Sequence, residues 1–166
     1  MFPRLLKLRI FGIIGTPAAM PRYIYETTTF LNVDLDLYSR SNLQPLVTAM
    51  GQSVIVLHAG RDGRRWCAHL ELARVARTAD SAIRSFSSLI RRLPSAAGKL
   101  WGSATVRDFN IGVQAGMQPR SYEIALARET VETASALKAR IVVTVYAPEI
   151  PEKGVRKDRR TKRRVS

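Results

Sequence analysis

The 166-residue chain is poor in the residues that most directly carry chemistry, with one cysteine, two histidines and 7% aromatic residues. The lone Cys67 excludes an internal disulfide, so nothing points to an oxidising compartment and a cytoplasmic location is expected. So few cysteines and histidines leave little material for a soft-metal site, and neither metal nor cofactor is expected. No apolar run approaches the roughly 18–20 residues that cross a bilayer, so no membrane span is expected. A phosphate loop of the Gly-x-x-x-x-Gly-Lys type is missing, as are a Gly-x-Ser-x-Gly nucleophile elbow and any Cys/His set with zinc spacing. Acids are scarce: 13 Asp and Glu stand against 27 Lys and Arg, a net charge of +14.

That charge is uneven. Pro151–Ser166 holds eight basic residues and two acids, Met1–Glu26 four and one, and Thr27–Ile150 fifteen and ten. Nearly two thirds of the excess lies outside the segment with regular hydrophobic patterning, so the field that attracts polyanions sits on the ends. Met1–Ala19 has Arg4, Lys7 and Arg9 ahead of a short apolar stretch, Ile10–Ile14, broken by Gly12. This is a short copy of a signal peptide, with a poor cleavage site at Thr16–Ala19. The preferred expectation is an N-terminal arm over 1–26, disordered or a mis-assigned start, a single domain over 27–148, and a disordered basic tail over 149–166. A folded part of roughly 120 residues can bury a core without staples.

Within 27–148 the pattern alternates between periods of two and of three to four. Thr28–Ser39 reads as a strand, with Leu31, Val33, Leu35 and Leu37 inward and Asn32, Asp34 and Asp36 outward. A short helix follows, with Pro45 in its first turn and Gly51 at its end. Ser53–Ala59, apolar on both faces, reads as a central strand. Gly60–Arg64 reads as a hairpin turn into Arg65–Ala73. Thr78 or Asp80 caps a helix bearing Ala82, Ile83, Phe86, Leu89, Ile90 and Leu93, which Pro94 ends. A second short helix over Ser95–Gly102, a strand over Val106–Ala115, a helix from Ser121 to Leu137 and a strand over Ile141–Tyr146 complete the order. The expected fold class is α+β, a ferredoxin-like β-α-β-β-α(α)-β-α-β sheet with helices on one face.

Helices on one face leave the other to the outward residues. Strand alternation collects Asn32, Asp34, Asp36, His69, Glu71, Asp108, Asn110, Gln114 and Tyr146 there. Of these, Asp34, Asp36, His69, Glu71, Asp108 and Asn110 are the candidate binding residues. Carboxylates two apart on a strand stand roughly 7 Å apart, a spacing that suits a shared cation or an acid–base pair. The plainer alternative is a solvated sheet face, and it is preferred over catalysis, so no catalytic residue is assigned. His58, at the end of an apolar strand, reads as a rim residue. Cys67 has Arg64 and Arg65 nearby, which could lower a thiol pKa, but a quiet half-buried cysteine is the preferred reading. The carboxylates on the sheet face would repel phosphate, which argues against an RNA-stacking surface there. Basic candidates for nucleic acid lie elsewhere: Arg84, Arg91 and Arg92 on a helix, and Arg156, Lys157, Arg159, Arg160, Lys162, Arg163 and Arg164 in the tail, where binding would be sequence-blind and salt-sensitive.

The stretch Phe109-Asn110-Ile111-Gly112-Val113-Gln114-Ala115-Gly116, a helix, and Ala136-Leu137-Lys138-Ala139-Arg140-Ile141-Val142-Val143-Thr144-Val145-Tyr146 resemble a known pattern. It is the closing strand–helix–strand of small bacterial α+β domains of unknown function, in which the helix ends near Leu-Gly-Ala and the strand in Asp-Ile-Tyr. Lys138 stands in the glycine place and Thr144 in the aspartate place. The resemblance implies an immunity- or accessory-type protein and carries over no catalytic residue. The leading expectation is thus a non-enzymatic protein-interaction module of unknown partner. The alternatives are a nucleic-acid-associated accessory protein using its tail and arginine helix, and a small enzyme using the carboxylate–histidine face.

Overall fold

The computed structural model describes residues 27–147, so the expectations for the N-terminal arm and the basic tail lie outside the described residues. Five strands, β1 (Thr29–Ser39), β2 (Val54–Asp62), β3 (Arg65–Leu72), β4 (Val106–Gln114) and β5 (Arg140–Tyr146), form one mixed sheet in the order β2-β3-β1-β4-β5. The first four pair antiparallel with one another, and β5 runs parallel to β4. The helices are α1 (Gln44–Met50), α2 (Ala79–Arg91), α3 (Ser95–Ser103) and α4 (Arg128–Ala136), with a 3-10 turn at Gly51–Ser53.

The central strand is β1, and its period-two pattern sets the polarity of the sheet. Val33, Leu35 and Leu37 are buried and share one core with Leu70, Phe109 and Ile111 from the neighbouring strands. Leu46 from α1, Ile83 and Phe86 from α2 and Trp101 from α3 fill the same core. Each fully buried Leu, Ile or Phe contributes about 1.5–3 kcal/mol relative to exposure, so this shared layer holds helices and sheet together. The Phe86 and Phe109 rings meet at 6.2 Å, within range for a favourable aromatic pair. The Thr78 side chain accepts from the Ser81 backbone N–H while the Ser81 hydroxyl is placed to accept from the Thr78 backbone N–H, a capping box that starts α2.

Four expectations need correction. Ser53–Ala59 is not central: β2 is an edge strand, with Ile55, Val56 and Leu57 all between 42% and 48% exposed. An apolar run marks a strand but does not say which neighbours cover it. The hairpin turn is only Gly63–Arg64, because strand pairing continues to Asp62 opposite Arg65, and Gly63 takes a φ of 59° that favours glycine. Leu31 is not inward, because the register shifts between Phe30 and Asn32 and leaves it 46% exposed at an irregularity.

The expected helix from Ser121 to Leu137 is only α4. Residues 121–127 are not helical, and Ile124 and Leu126 pack against the core at a spacing of two rather than three or four. The α4 start is set from outside: Asp80 Oδ1 on α2 accepts the Ala127 backbone N–H at 2.8 Å. The nearby Thr130 hydroxyl, which makes no hydrogen bond of standard geometry, and the Ala127 N–H, which does, hold the Asp80 carboxyl below its usual range. At the other end Lys138 has a φ of 54°, and the Lys138 and Ala139 N–H groups donate to the carbonyls of Ser135 and Ala134. That is a Schellman termination, which most often uses glycine.

Candidate functional site on the open sheet face

The face of the sheet turned away from the helices carries a polar row that crosses all five strands. His58 of β2 pairs with His69 of β3, His69 with Asp36 of β1, Asp36 with Asp108 of β4, and Asp108 with Arg140 of β5. Cationic or titratable groups thus flank two adjacent carboxylates. Without those flanks, Asp36 opposite Asp108 would be destabilising, since like charges directly across an antiparallel pair repel. His69 Nδ1 lies 2.6 Å from Asp36 Oδ1. Arg140 grips Asp108 with two hydrogen bonds of 2.7 and 2.6 Å, the fork geometry that guanidinium and carboxylate share. Asp108 is only 8% exposed, so Arg140 supplies the countercharge that its burial requires.

A second row lies beside the first. Asp34 stands between Glu71 on β3 and Asn110 on β4. Asn110 donates to Asp36 Oδ2 at 3.1 Å and accepts from the Thr144 hydroxyl at 2.7 Å, which links the two rows and ties in β5. Asn32 donates to Asp34 Oδ1 at 2.8 Å. Gly112 makes room for this amide: a Cβ there would come within 2.9 Å of Asn32 Oδ1 and 3.6 Å of the Tyr146 ring. Gln114 donates to the carbonyls of Tyr146 and Ala147 and so secures the end of β5.

The two rows differ electrostatically. Burial, then the charges of Asp36 and Glu71, push the Asp34 pKa up to about 7, with His69 opposing. The hydrogen bond to Asp36 raises the His69 pKa above its ordinary value, against the opposing effect of burial. Asp36 and Asp108 have cationic or ionisable partners, whereas Asp34 and Glu71 make no ion pair among the described residues. The histidine–carboxylate pair has the reach of a general acid–base dyad. Among the described residues, no serine, threonine or cysteine side chain hydrogen-bonds to His69. Cys67 is instead buried, its Sγ 3.7 Å from the Gly60 carbonyl oxygen. Burial, then Asp62, push its thiol pKa up, the opposite of an activated thiol and in line with a quiet cysteine.

The structure therefore brings Asp34, Asp36, His69, Glu71, Asp108 and Asn110 onto one face that no described helix covers. Sequence reasoning missed four members. Tyr38 follows Asp34 and Asp36 in the same alternation, and its ring packs edge-on at 5.7 Å from the His69 ring, so the period-two pattern could have found it. His58, read as a rim residue, is exposed on the edge strand β2 and its ring lies 6.0 Å from the His69 ring. Arg140 and Thr144 depend on the parallel register of β5, which no local signal announces. Of the basic candidates, Arg84, Arg91 and Arg92 border one groove between α2 and α4, where Arg91 donates to the Thr133 hydroxyl at 3.2 Å and Arg84 lies 3.8 Å from Asp80. The tail residues Arg156 to Arg164 lie outside the described residues. Comparison with protein-family models, curated proteins and solved structures found no significant match.

Proposed function

We propose that the chain is a non-enzymatic protein-interaction module whose open sheet face docks a basic surface of a protein partner. The observation that carries this reading is the division of labour between the two rows: Asp36 and Asp108 are held by His69 and Arg140, while Asp34 and Glu71 stand side by side without a cation among the described residues. Paired groups stiffen the face, and the two unpaired carboxylates are available to lysine or arginine of a partner. Complementary charge of this kind speeds encounter and selects partners more than it adds raw affinity. The strand order β2-β3-β1-β4 supports reading the first four strands as a ferredoxin-like arrangement. With the resemblance at Phe109–Tyr146, this favours an immunity- or accessory-type bacterial protein working in the cytoplasm.

The test is affinity capture of a basic partner by the wild type and by the Asp34→Asn/Glu71→Gln double variant, each at pH 6 and pH 8. As Asp34 ionises between pH 6 and pH 8, the face gains negative charge. Wild-type capture should therefore strengthen, and the double variant should retain the partner at least about tenfold more weakly, the scale of losing a charge-assisted contact. Equal retention by a folded double variant refutes the reading.

A further inference from the structure

A groove of about 890 Å³ lies where the segment leaving β3 runs past α2, and none of the candidate sheet-face residues lines it. We propose that it binds a phosphate-bearing small molecule of nucleotide size. Three arginines border it from three places in the chain: Arg74 just after β3, Arg77 just before α2 and Arg92 at the end of α2. Among the described residues no carboxylate lines it, although Arg74 also borders a small cavity with Glu71. Arg74, Arg77 and Arg92 have no side-chain hydrogen bond or ion pair among the described residues, a state they share with other exposed arginines such as Arg40 and Arg120, and what sets them apart is that they border one groove. Three exposed arginines bordering one groove, with no carboxylate in its described lining, give it a positive potential that favours an anion.

The remainder of the lining selects among anions. Ser81, Ser85 and Ser88 fall at spacings of four and three on α2 and so share one helix face. Ser85 bonds back to the Ser81 carbonyl at 2.8 Å, whereas Ser88 has no hydrogen-bond partner among the described residues. From Ser81 to Ser88 the helix rises about 10 Å, a length that matches a di- or triphosphate chain. Leu72 and Leu89 add an apolar wall against which a flat ring can lie. Guanidinium forks fit phosphate oxygens in pairs as they fit carboxylates, and three arginines match the several negative charges of a di- or triphosphate better than the single charge of a carboxylate. A pocket of this volume suits a mononucleotide better than a duplex, whose binding uses an extended track of phosphates.

The experiment is calorimetric titration of the full chain with ATP, and separately with inorganic pyrophosphate, at physiological salt. One variant, Arg74→Ala/Arg77→Ala/Arg92→Ala, removes the groove's cations. Another, Arg61→Ala/Arg64→Ala/Arg65→Ala, removes as much charge from the β2–β3 hairpin. The expected result is saturable 1:1 binding of ATP, weakened about tenfold or more by the groove variant and within about twofold of wild type in the hairpin variant. Tighter binding of ATP than of pyrophosphate assigns a role to the apolar wall, while equal binding confines the site to the phosphates; both support an anion site. Amide shifts at Ser81, Ser85 and Ser88 in NMR titration of the wild type locate the ligand independently of any variant. Equal losses in the two variants would reduce the effect to bulk charge and overturn the proposal. So would absence of saturable binding, or binding of a single-stranded oligonucleotide but not of ATP. The Asp34→Asn/Glu71→Gln variant should bind ATP like the wild type, which separates this site from the sheet face.

Discussion

Asp34 is the residue through which the sheet face should respond to pH. Its pKa of about 7 lies above the ordinary value of 3.8, so between those values the native state holds a proton that the unfolded chain has released. Stability therefore falls as pH rises through that window. His69 acts in the same direction: its stabilisation is complete below its ordinary pKa of 6.5 and is lost as pH rises through the higher native value. Replacing Asp34 with Asn keeps an oxygen to accept from Asn32 and removes one of the two titrations. The expected outcome is a thermal midpoint equal to that of the wild type near pH 4 and higher than it near pH 8. A pH series of thermal melts checks this, and parallel curves for the two proteins would refute the origin assigned to the pKa shift.

At the scale of elements, α4 is held in place by a residue on another helix. Asp80 reaches across from the first turn of α2 to the Ala127 N–H, so α4 acquires its N-terminal acceptor only when α2 is packed beside it. Asp80→Ala should cost about 1 kcal/mol, the usual loss for a removed cap. Hydrogen exchange at the α4 amides should rise more than at α2, where Thr78 and Ser81 supply their own cap. Uniform exchange across both helices would contradict this. The case also marks what the sequence could disclose. Alternation around Leu35 and Leu37 and the three-four spacing around Ile83 and Phe86 are local, and both elements were legible. The α4 start was not, because its acceptor lies 47 residues away. The same division runs through the site: Asp34, Asp36, His69, Glu71, Asp108 and Asn110 follow from alternation, whereas Arg140 and Thr144 enter through strand pairing over long separations.

For the whole molecule, the sheet ends in two unlike edges. At β2 a strand edge that no described residue pairs with coincides with exposed Ile55, Val56 and Leu57, the combination that invites pairing with a second chain. The register shift between Val56 and His58 interrupts that edge, and interruptions of this type limit edge-to-edge growth. Ile55 stands opposite Glu71, so Ile55→Lys places a cation beside a free carboxylate while adding charge to the edge. Stability should change by less than about 1 kcal/mol and concentration-dependent self-association should fall. Sedimentation velocity at increasing concentration provides the check, and unchanged association in the variant would place the sticky surface elsewhere.

The other edge, β5, bears on the order in which the molecule can be completed. Because β5 joins β4 in parallel, a whole helical crossover must be made before Arg140 reaches Asp108, 32 residues earlier in the chain. While the chain is emerging from the ribosome, β4 can pair with β1 but leaves its outer flank bare and its buried carboxylate without a countercharge. The last strand therefore closes the polar row as well as the sheet, and a chain arrested before Arg140 would expose both defects to the proteases and chaperones that survey nascent proteins.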